Sequence, residues 1–369
     1  MKIKHIANIA TFSILIFGLS FSLLIKKDDL ISQEERRYLV QREELKESKF
    51  LDGSYSDVLE NFALDQFPLR TSFRKIKSFS NYNLFQKIHN QDVVISNGYA
   101  IKLPMNYKYE DVEKTIEKIN ILQNQIFKYN KCYISLIPDK SCFYDKYEDK
   151  KCDFNKVENI LKDKINEKIT YISIKDKLEL SDYYKTDSHW TQYKIEDVAN
   201  TILEGMGNQT ENKYEIKEIK NFYGVYYSQA ALTLKPDIIK YLTNTEIENC
   251  TVYNYENNKT TSIYDLDKLI DEKSMDNYDI FLSGASPLLR IDNPNTNSNK
   301  TLYVFRDSYG SSLSPLFTHN YKTIYVVDLR YISVPYLKKF VNPNKTDDVL
   351  FIYSTLLINS PNNFKLNMK

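Results

Sequence analysis

The chain has 369 residues, 42% of them hydrophobic, which is enough for one substantial core and long for that core alone, so a body with an anchor or smaller appendage is expected. Fifty Lys and Arg stand against 49 Asp and Glu, so charge gives no reason to expect nucleic acid or an acidic polymer as the main partner. Thirty tyrosines and 19 phenylalanines beside 8 glycines fit either a carbohydrate-stacking surface or the codon usage of an AT-rich genome, the plainer explanation.

Residues 6–25 are mostly apolar, with Lys2 and Lys4 before them and Lys26-Lys27-Asp28-Asp29 after. A stretch of this length crosses a hydrocarbon core of roughly 30 Å and exceeds the apolar region of most cleaved signals, and no small-x-small cleavage site follows it. The lysines place the amino end in the cytoplasm. The expectation is an uncleaved single-pass anchor with the body on the extracytoplasmic side; a removed signal peptide is the alternative. The segments are then 1–27, cytoplasmic tip and anchor; 28–90, a helical approach segment; and 91–369, the body.

Residues 30–90 carry apolar positions at helical spacing, among them Val58, Leu59, Phe62 and Ala63, and Pro68 divides the pattern into two helices. Residues 93–99 read as a strand entering an Asn97-Gly98 hairpin turn. A helix follows over 109–129, a strand over 132–137, a helix near 154–168 and a strand over 170–174. After the segment Asp187-Ser188-His189-Trp190, Ile195, Val198, Ala199, Ile202 and Leu203 predict a helix whose amino terminus the segment feeds, where the helix dipole would favour a neutral imidazole. Residues 208–275 are polar and give no clear pattern apart from the aromatic knot at 222–227. Strands are expected again at 279–283, 301–305, 323–327 and 349–353, with a polar loop at 292–300. Alternation of this kind predicts an α/β fold with a mostly parallel central sheet covered by helices.

Cys132, Cys142, Cys152 and Cys250 show no C-x-x-C spacing and have no histidine nearby, which weighs against a structural zinc site. In an oxidising compartment Cys142 and Cys152 are the pair expected to bridge, and free buried thiols are an equal alternative.

Of four histidines, His189 and His319 are the candidates for a base in the body, and only His189 has a carboxylate two residues away. Asp187 can hold the imidazole tautomer and stabilise the imidazolium, as the acid of a catalytic triad does. The run Thr301-Leu302-Tyr303-Val304-Phe305-Arg306-Asp307-Ser308-Tyr309-Gly310 leads an apolar strand into a serine followed by small residues that can begin a helix. That is where a nucleophile sits exposed with backbone N–H groups near it, and Ser308 is the candidate. Ser308, Asp187 and Ser188 also have an ordinary explanation as turn and cap residues, and Trp190 one as packing.

The segments Glu34-Glu35-Arg36-Arg37-Tyr38-Leu39, Asp65-Gln66-Phe67-Pro68-Leu69-Arg70, Tyr184-Lys185-Thr186-Asp187-Ser188-His189-Trp190-Thr191, Phe222-Tyr223-Gly224, Arg306-Asp307-Ser308-Tyr309 and Asp328-Leu329-Arg330-Tyr331 resemble, in order, the DHHW protein family. That family is similar to the SGNH-hydrolase-like proteins that include the alginate O-acetylation proteins AlgJ and AlgX. The resemblance implies an SGNH-hydrolase-like, flavodoxin-like sandwich and a triad of Ser308, His189 and Asp187. It further implies an acetyl-serine intermediate, a polysaccharide acceptor and a membrane-bound O-acyltransferase that supplies acetyl groups; that chemistry needs no cofactor or metal. Gly284, Trp190, Arg330 and Tyr309 are the candidates for substrate contact or oxyanion support, with a salt bridge as the other reading of Arg330. An acetylesterase, or a silent polysaccharide-binding protein, is compatible with the same residues. Two positions depart from the family pattern. Ser188 stands where the family has its first histidine, and Gly284-Ala285 stands where it has Gly-Asn. If that Asn donates to an oxyanion, its absence costs roughly 3 kcal/mol of transition-state stabilisation.

Overall fold

The computed structural model describes residues 2–32, 34–47, 54–85, 89–144, 152–210, 212–269 and 276–365. It divides into two compact units, residues 1–91 with 227–233, and residues 92–226 with 234–369.

The smaller unit begins with α1 (Lys2–Ile25). Two short strands, β1 (Ile31–Ser32) and β2 (Arg37–Tyr38), precede α2 (Arg42–Glu47), α3 (Ser54–Asp65) and α4 (Arg70–Phe79). Pro68 divides α3 from α4 as expected, and Leu69 between them takes a left-handed conformation at φ 59°. Two of the motifs meet here. Arg37 forms a two-pronged ion pair with Asp65, which also accepts from the Val40 amide, and Arg70 pairs with Glu35 through Nε at 2.7 Å and Nη2 at 2.9 Å. Burial alone would raise the Asp65 carboxyl, but Arg37 and the Val40 amide hold it below its usual range.

The larger unit opens with a hairpin, β3 (Val93–Ser96) and β4 (Tyr99–Lys102), turning on Asn97 and Gly98 at φ 50° and 79°, the left-handed pair that a two-residue hairpin turn requires. The main sheet contains β5 (Lys131–Ile137), β6 (Ile169–Tyr171), β9 (Thr251–Asn254), β10 (Lys259–Ser262), β11 (Leu288–Asp292), β12 (Thr301–Arg306), β13 (Thr323–Val327) and β14 (Asp348–Ser354). β7 (Glu215–Phe222) and β8 (Asp237–Thr243) pair separately. Sheet order is β10-β9-β11-β13-β12-β14-β5-β6, with β13, β12, β14, β5 and β6 parallel and β11, β9 and β10 antiparallel.

Side chains alternate across β12 and β14. Leu302, Val304, Leu350 and Ile352 join one buried cluster with Val198 and Ile202 of α7 (Glu196–Gly205). Tyr303, Phe305, Val349 and Phe351 join another with Val112 and Ile116 of α5 (Tyr109–Ile126) and Val157 and Leu161 of α6 (Phe154–Lys164). A sheet covered on both faces explains why these strands read as continuous apolar runs.

Two local expectations fail. Residues 279–283 are not a strand: a 3-10 turn at Asn277–Ile280 leads into Leu282, Ser283 and Gly284 at φ 57°, 59° and 90°. A short apolar run is equally suited to a buried turn. The helix after the Asp-Ser-His-Trp segment starts only at Glu196, after a 3-10 turn at Gln192–Lys194, so His189 does not stand at its amino terminus.

All four cysteines are free thiols. The sulfurs of Cys142 and Cys152 and a carboxylate oxygen of Asp139 lie within 4.8 Å of one another, which brings the expected pair together.

Candidate active site

The loops that leave the carboxyl ends of the parallel strands carry the site. β12 ends at Arg306, and Asp307 then ties two strands: its Oδ1 accepts from the Tyr309 amide at 3.1 Å and its Oδ2 from the Ser354 amide at 2.8 Å. Asp307 therefore caps the short helix Tyr309–Leu313, although Ser308 occupies the cap position. Ser308 makes no side-chain cap bond, and its Oγ instead lies 2.7 Å from His189 Nε2.

The Asp187–Trp190 loop is folded back on itself, with Tyr183 bridged to Trp190. Asp187 is fully buried, and its Oδ1 lies 2.5 Å from His189 Nδ1 and accepts the His189 amide at 3.0 Å. Its Oδ2 accepts the Val225 amide at 2.7 Å. With the Nδ1 proton directed at Asp187, Nε2 is left as acceptor for the Ser308 hydroxyl, so a proton can pass from Oγ to Nε2 while the carboxylate stabilises the imidazolium. His319, the other candidate base, pairs with Glu246 at 2.8 Å.

The aromatic knot fastens this loop. The Gly224 amide donates to Thr186 Oγ1 at 2.8 Å, and Thr186 is held by Asp237, which also accepts the Lys185 and Thr186 amides. A Cβ on Gly224 would lie 2.2 Å from Asp187 Cα, so only glycine permits this approach.

Aromatic rings enclose the imidazole. Tyr278 stacks on His189 with centroids 3.9 Å apart and planes 8° from parallel, while Tyr309 meets it edge-on at 5.0 Å. Tyr278 donates to Ser312 Oγ at 2.7 Å, Trp190 Nε1 donates to the same oxygen at 2.8 Å, and Tyr309 donates to the Ser188 carbonyl at 2.7 Å. Burial pushes the Tyr278 and Tyr309 hydroxyls well above their usual range, so both remain protonated donors.

Each of the four accessory candidates makes a contact within the protein. Trp190 is fully buried and packs edge-on against Tyr309 at 5.2 Å, so it supports the loop rather than lining a surface. Tyr309 is buried as well. Gly284 donates its amide to the Phe281 carbonyl at 3.3 Å, which engages the N–H expected to face an oxyanion. Arg330 holds Asp328 with Nε at 2.9 Å and Nη2 at 2.6 Å, the salt bridge that was its other reading. Asp328 in turn receives Arg306 Nη1 at 3.2 Å, deep in the core.

Sequence reasoning missed Tyr278, Asp237 and Lys140, and it gave Gly224 no role beyond its place in the Phe222-Tyr223-Gly224 motif. Lys140 follows β5, is fully buried, and donates to the Tyr184 carbonyl at 2.9 Å beneath the ring of Tyr226. Burial lowers its pKa to about 7, against the pull of the Asp187, Asp237 and Asp139 carboxylates.

Residues 151–327, which hold His189 and Ser308, match the family model described as DHHW protein. This stretch is similar to the DHHW family. Among solved structures, a DHHW family protein from Eubacterium siraeum DSM 15702 superposes with TM-score 0.61 at 22% identity, over 73% of this chain and 92% of its own. PatB1 of Bacillus cereus, solved with a sulfonyl adduct, superposes with TM-score 0.58 at 17% identity, over 72% of this chain and 97% of its own. The O-acetyltransferase domain of Pseudomonas putida AlgJ gives TM-score 0.43 at 12% identity over 73% of this chain and 92% of its own, too loose a fit for comparison of sites. At these identities the likeness of the first two structures shows the fold alone. No curated protein sequence matches the chain.

Proposed function

We propose that the chain is an extracytoplasmic O-acetyltransferase acting on a cell-surface or secreted polysaccharide through an acetyl-serine intermediate. One observation carries this reading: the Asp187 Oδ1, His189 Nδ1 and Nε2, and Ser308 Oγ atoms form a continuous relay with contacts of 2.5 and 2.7 Å. His189 takes the Ser308 proton as Oγ attacks the acetyl carbonyl, and returns it to the leaving group. A sugar hydroxyl, deprotonated by the same Nε2, then attacks the acetyl-serine and regenerates Ser308. The Ser308 amide, at the head of its short helix, is the donor assigned to the oxyanion.

The ordered motifs and the likeness to the DHHW family favour acetyl as the group carried and a polysaccharide as its acceptor. They also favour an SGNH-hydrolase-like sandwich for residues 91–369. Acetyl groups made in the cytoplasm must cross the bilayer, so a membrane-bound O-acyltransferase is the supplier in this scheme. The 22-residue apolar segment Lys4–Ile25 is assigned as the anchor, residues 28–90 as the approach segment, and the body as extracytoplasmic.

An acetylesterase would use the same relay with water as acceptor, so the test separates both direction and activity. Purified protein is treated with a serine-directed fluorophosphonate and with a sulfonyl fluoride, then assayed for acetyl release and for transfer to oligosaccharides. Covalent labelling at Ser308 and transfer that vanishes in Ser308→Ala are expected. Acetyl release without transfer would establish the esterase. Glycan binding with no labelling, or transfer unchanged in Ser308→Ala, would remove the relay from the mechanism.

A further inference from the structure

α4 is amphipathic in the reverse of the usual sense. At 100° per residue Leu69, Phe73, Ile76 and Phe79 share one face, and Arg70, Arg74, Ser78 and Asn81 share the opposite one. The polar face points inward: Ser78 is 1% exposed, Asn81 is buried, Arg70 pairs with Glu35, and Arg74 donates to the Ser228 carbonyl at 2.9 Å. The apolar face is open, with Phe73 45%, Ile76 60% and Phe79 57% exposed. Phe67 extends the same surface by packing its ring edge against Phe73 at 5.9 Å. A soluble surface rarely gathers so many large apolar side chains unless something covers them.

The hydrogen bonds of this unit indicate what lies opposite. Arg42 caps the carboxyl end of α1, donating to the Leu24 carbonyl at 2.8 Å and the Leu23 carbonyl at 3.2 Å, and pairs with Asp28. Gln66, at the head of the tract leading into α4, accepts the Asp29 amide at 2.9 Å and donates to the Asp29 carbonyl at 3.0 Å. Asp29 lies four residues beyond Ile25, the end of the apolar segment, a separation of at most about 14 Å along an extended chain. The start of α4 is thus pinned near the point where α1 would leave the bilayer.

We propose that α4 lies on the outer surface of the membrane that α1 crosses, with Leu69, Phe73, Ile76 and Phe79 in the boundary between headgroups and acyl chains. Lys77, at the margin of the apolar face, is placed to meet lipid phosphates, the arrangement of an interfacial amphipathic helix. This rests on the anchor reading of α1, and lipid is the occupant because Gln66 holds the start of α4 to Asp29, four residues beyond the end of the span. The smaller unit then acts as a foot that fixes the approach segment at the bilayer surface.

The test uses the full chain in vesicles of phosphatidylcholine and phosphatidylglycerol whose acyl chains are brominated near the glycerol end. The chain has 1 tryptophan, the fully buried Trp190, which serves as the blank. Phe73→Trp and Ile76→Trp keep the face apolar, and Phe17→Trp reports on the anchor. The added fluorescence at positions 73 and 76 is expected to be at least halved by brominated lipid and shifted to shorter wavelength. Quenching at position 17 with none at 73 and 76 overturns the inference and leaves the anchor standing; no quenching at position 17 overturns both. Protection of positions 73 and 76 from aqueous acrylamide in native membranes, without quenching by brominated lipid, means a protein covers the face and also overturns it.

Discussion

Replacing Lys140 by methionine should stabilise the protein at neutral and lower pH and flatten its pH dependence. The ammonium is fully buried and has a single hydrogen bond, to the Tyr184 carbonyl, with its remaining N–H groups near the rings of Tyr226 and Tyr99. Its pKa falls from 10.5 to about 7, burial being the largest cause and the carboxylates of Asp187, Asp237 and Asp139 opposing it. That shift corresponds to about 5 kcal/mol of destabilisation wherever the folded lysine must stay charged. The unfolded lysine keeps its proton to pH 10.5 and the folded one loses it near 7, so the unfolded state binds more protons in between and stability rises with pH across that window. Methionine removes the charge and its titration but leaves the Tyr184 carbonyl without a donor, a loss of about 2 kcal/mol. The variant should therefore be about 3 kcal/mol more stable at pH 6, with the gap narrowing by a similar amount by about pH 9. Urea unfolding followed by Trp190 fluorescence measures this directly, and the wild-type minus variant difference cancels other titrating groups. Parallel pH profiles for the two proteins would refute the assignment of a buried, strained charge beside Asp187.

Gly224→Ala places a Cβ 2.2 Å from Asp187 Cα, so the loop must shift; the Ser308 fluorophosphonate labelling rate should fall by about 100-fold, and an unchanged rate would show the approach to be unimportant. Tyr278→Phe keeps the stack on His189 and loses only the bond to Ser312, whereas Tyr278→Leu removes the stack, so labelling should slow roughly tenfold more in the second variant than in the first. Exported protein should carry a Cys142–Cys152 disulfide in a non-reduced peptide map, and reduction should lower unfolding free energy by about 3 kcal/mol for a loop of this length; two free thiols in freshly exported protein would contradict it.

What could be read from the chain follows from how locally each feature is determined. β12, β13 and β14 were legible because a strand covered on both faces is apolar throughout, and the meeting of Asp187, His189 and Ser308 because an acid two residues from a histidine and a serine at a strand end are the pattern a relay would need. Tyr278, Gly224 and Lys140 were not, since each acquires its role only through a contact far away in sequence: a stack on His189, a close approach to Asp187, a bond to the Tyr184 carbonyl. Nothing around Lys140 in sequence distinguishes a buried ammonium from an ordinary exposed lysine after a strand. Residues 279–283 misled for a related reason, because Phe281 makes only an isolated bridge to Tyr264 and Leu282 begins a left-handed turn, so both are buried without forming a strand of the sheet. α4 marks the sharper limit. Its period of 3.6 is plain in the sequence, but periodicity states that a helix has two faces and not which one the protein keeps. In α4 Glu35 decides the matter by drawing Arg70 and Arg74 inward, and the apolar side is left facing out because of an ion-pair cluster that the helix's own residues do not reveal.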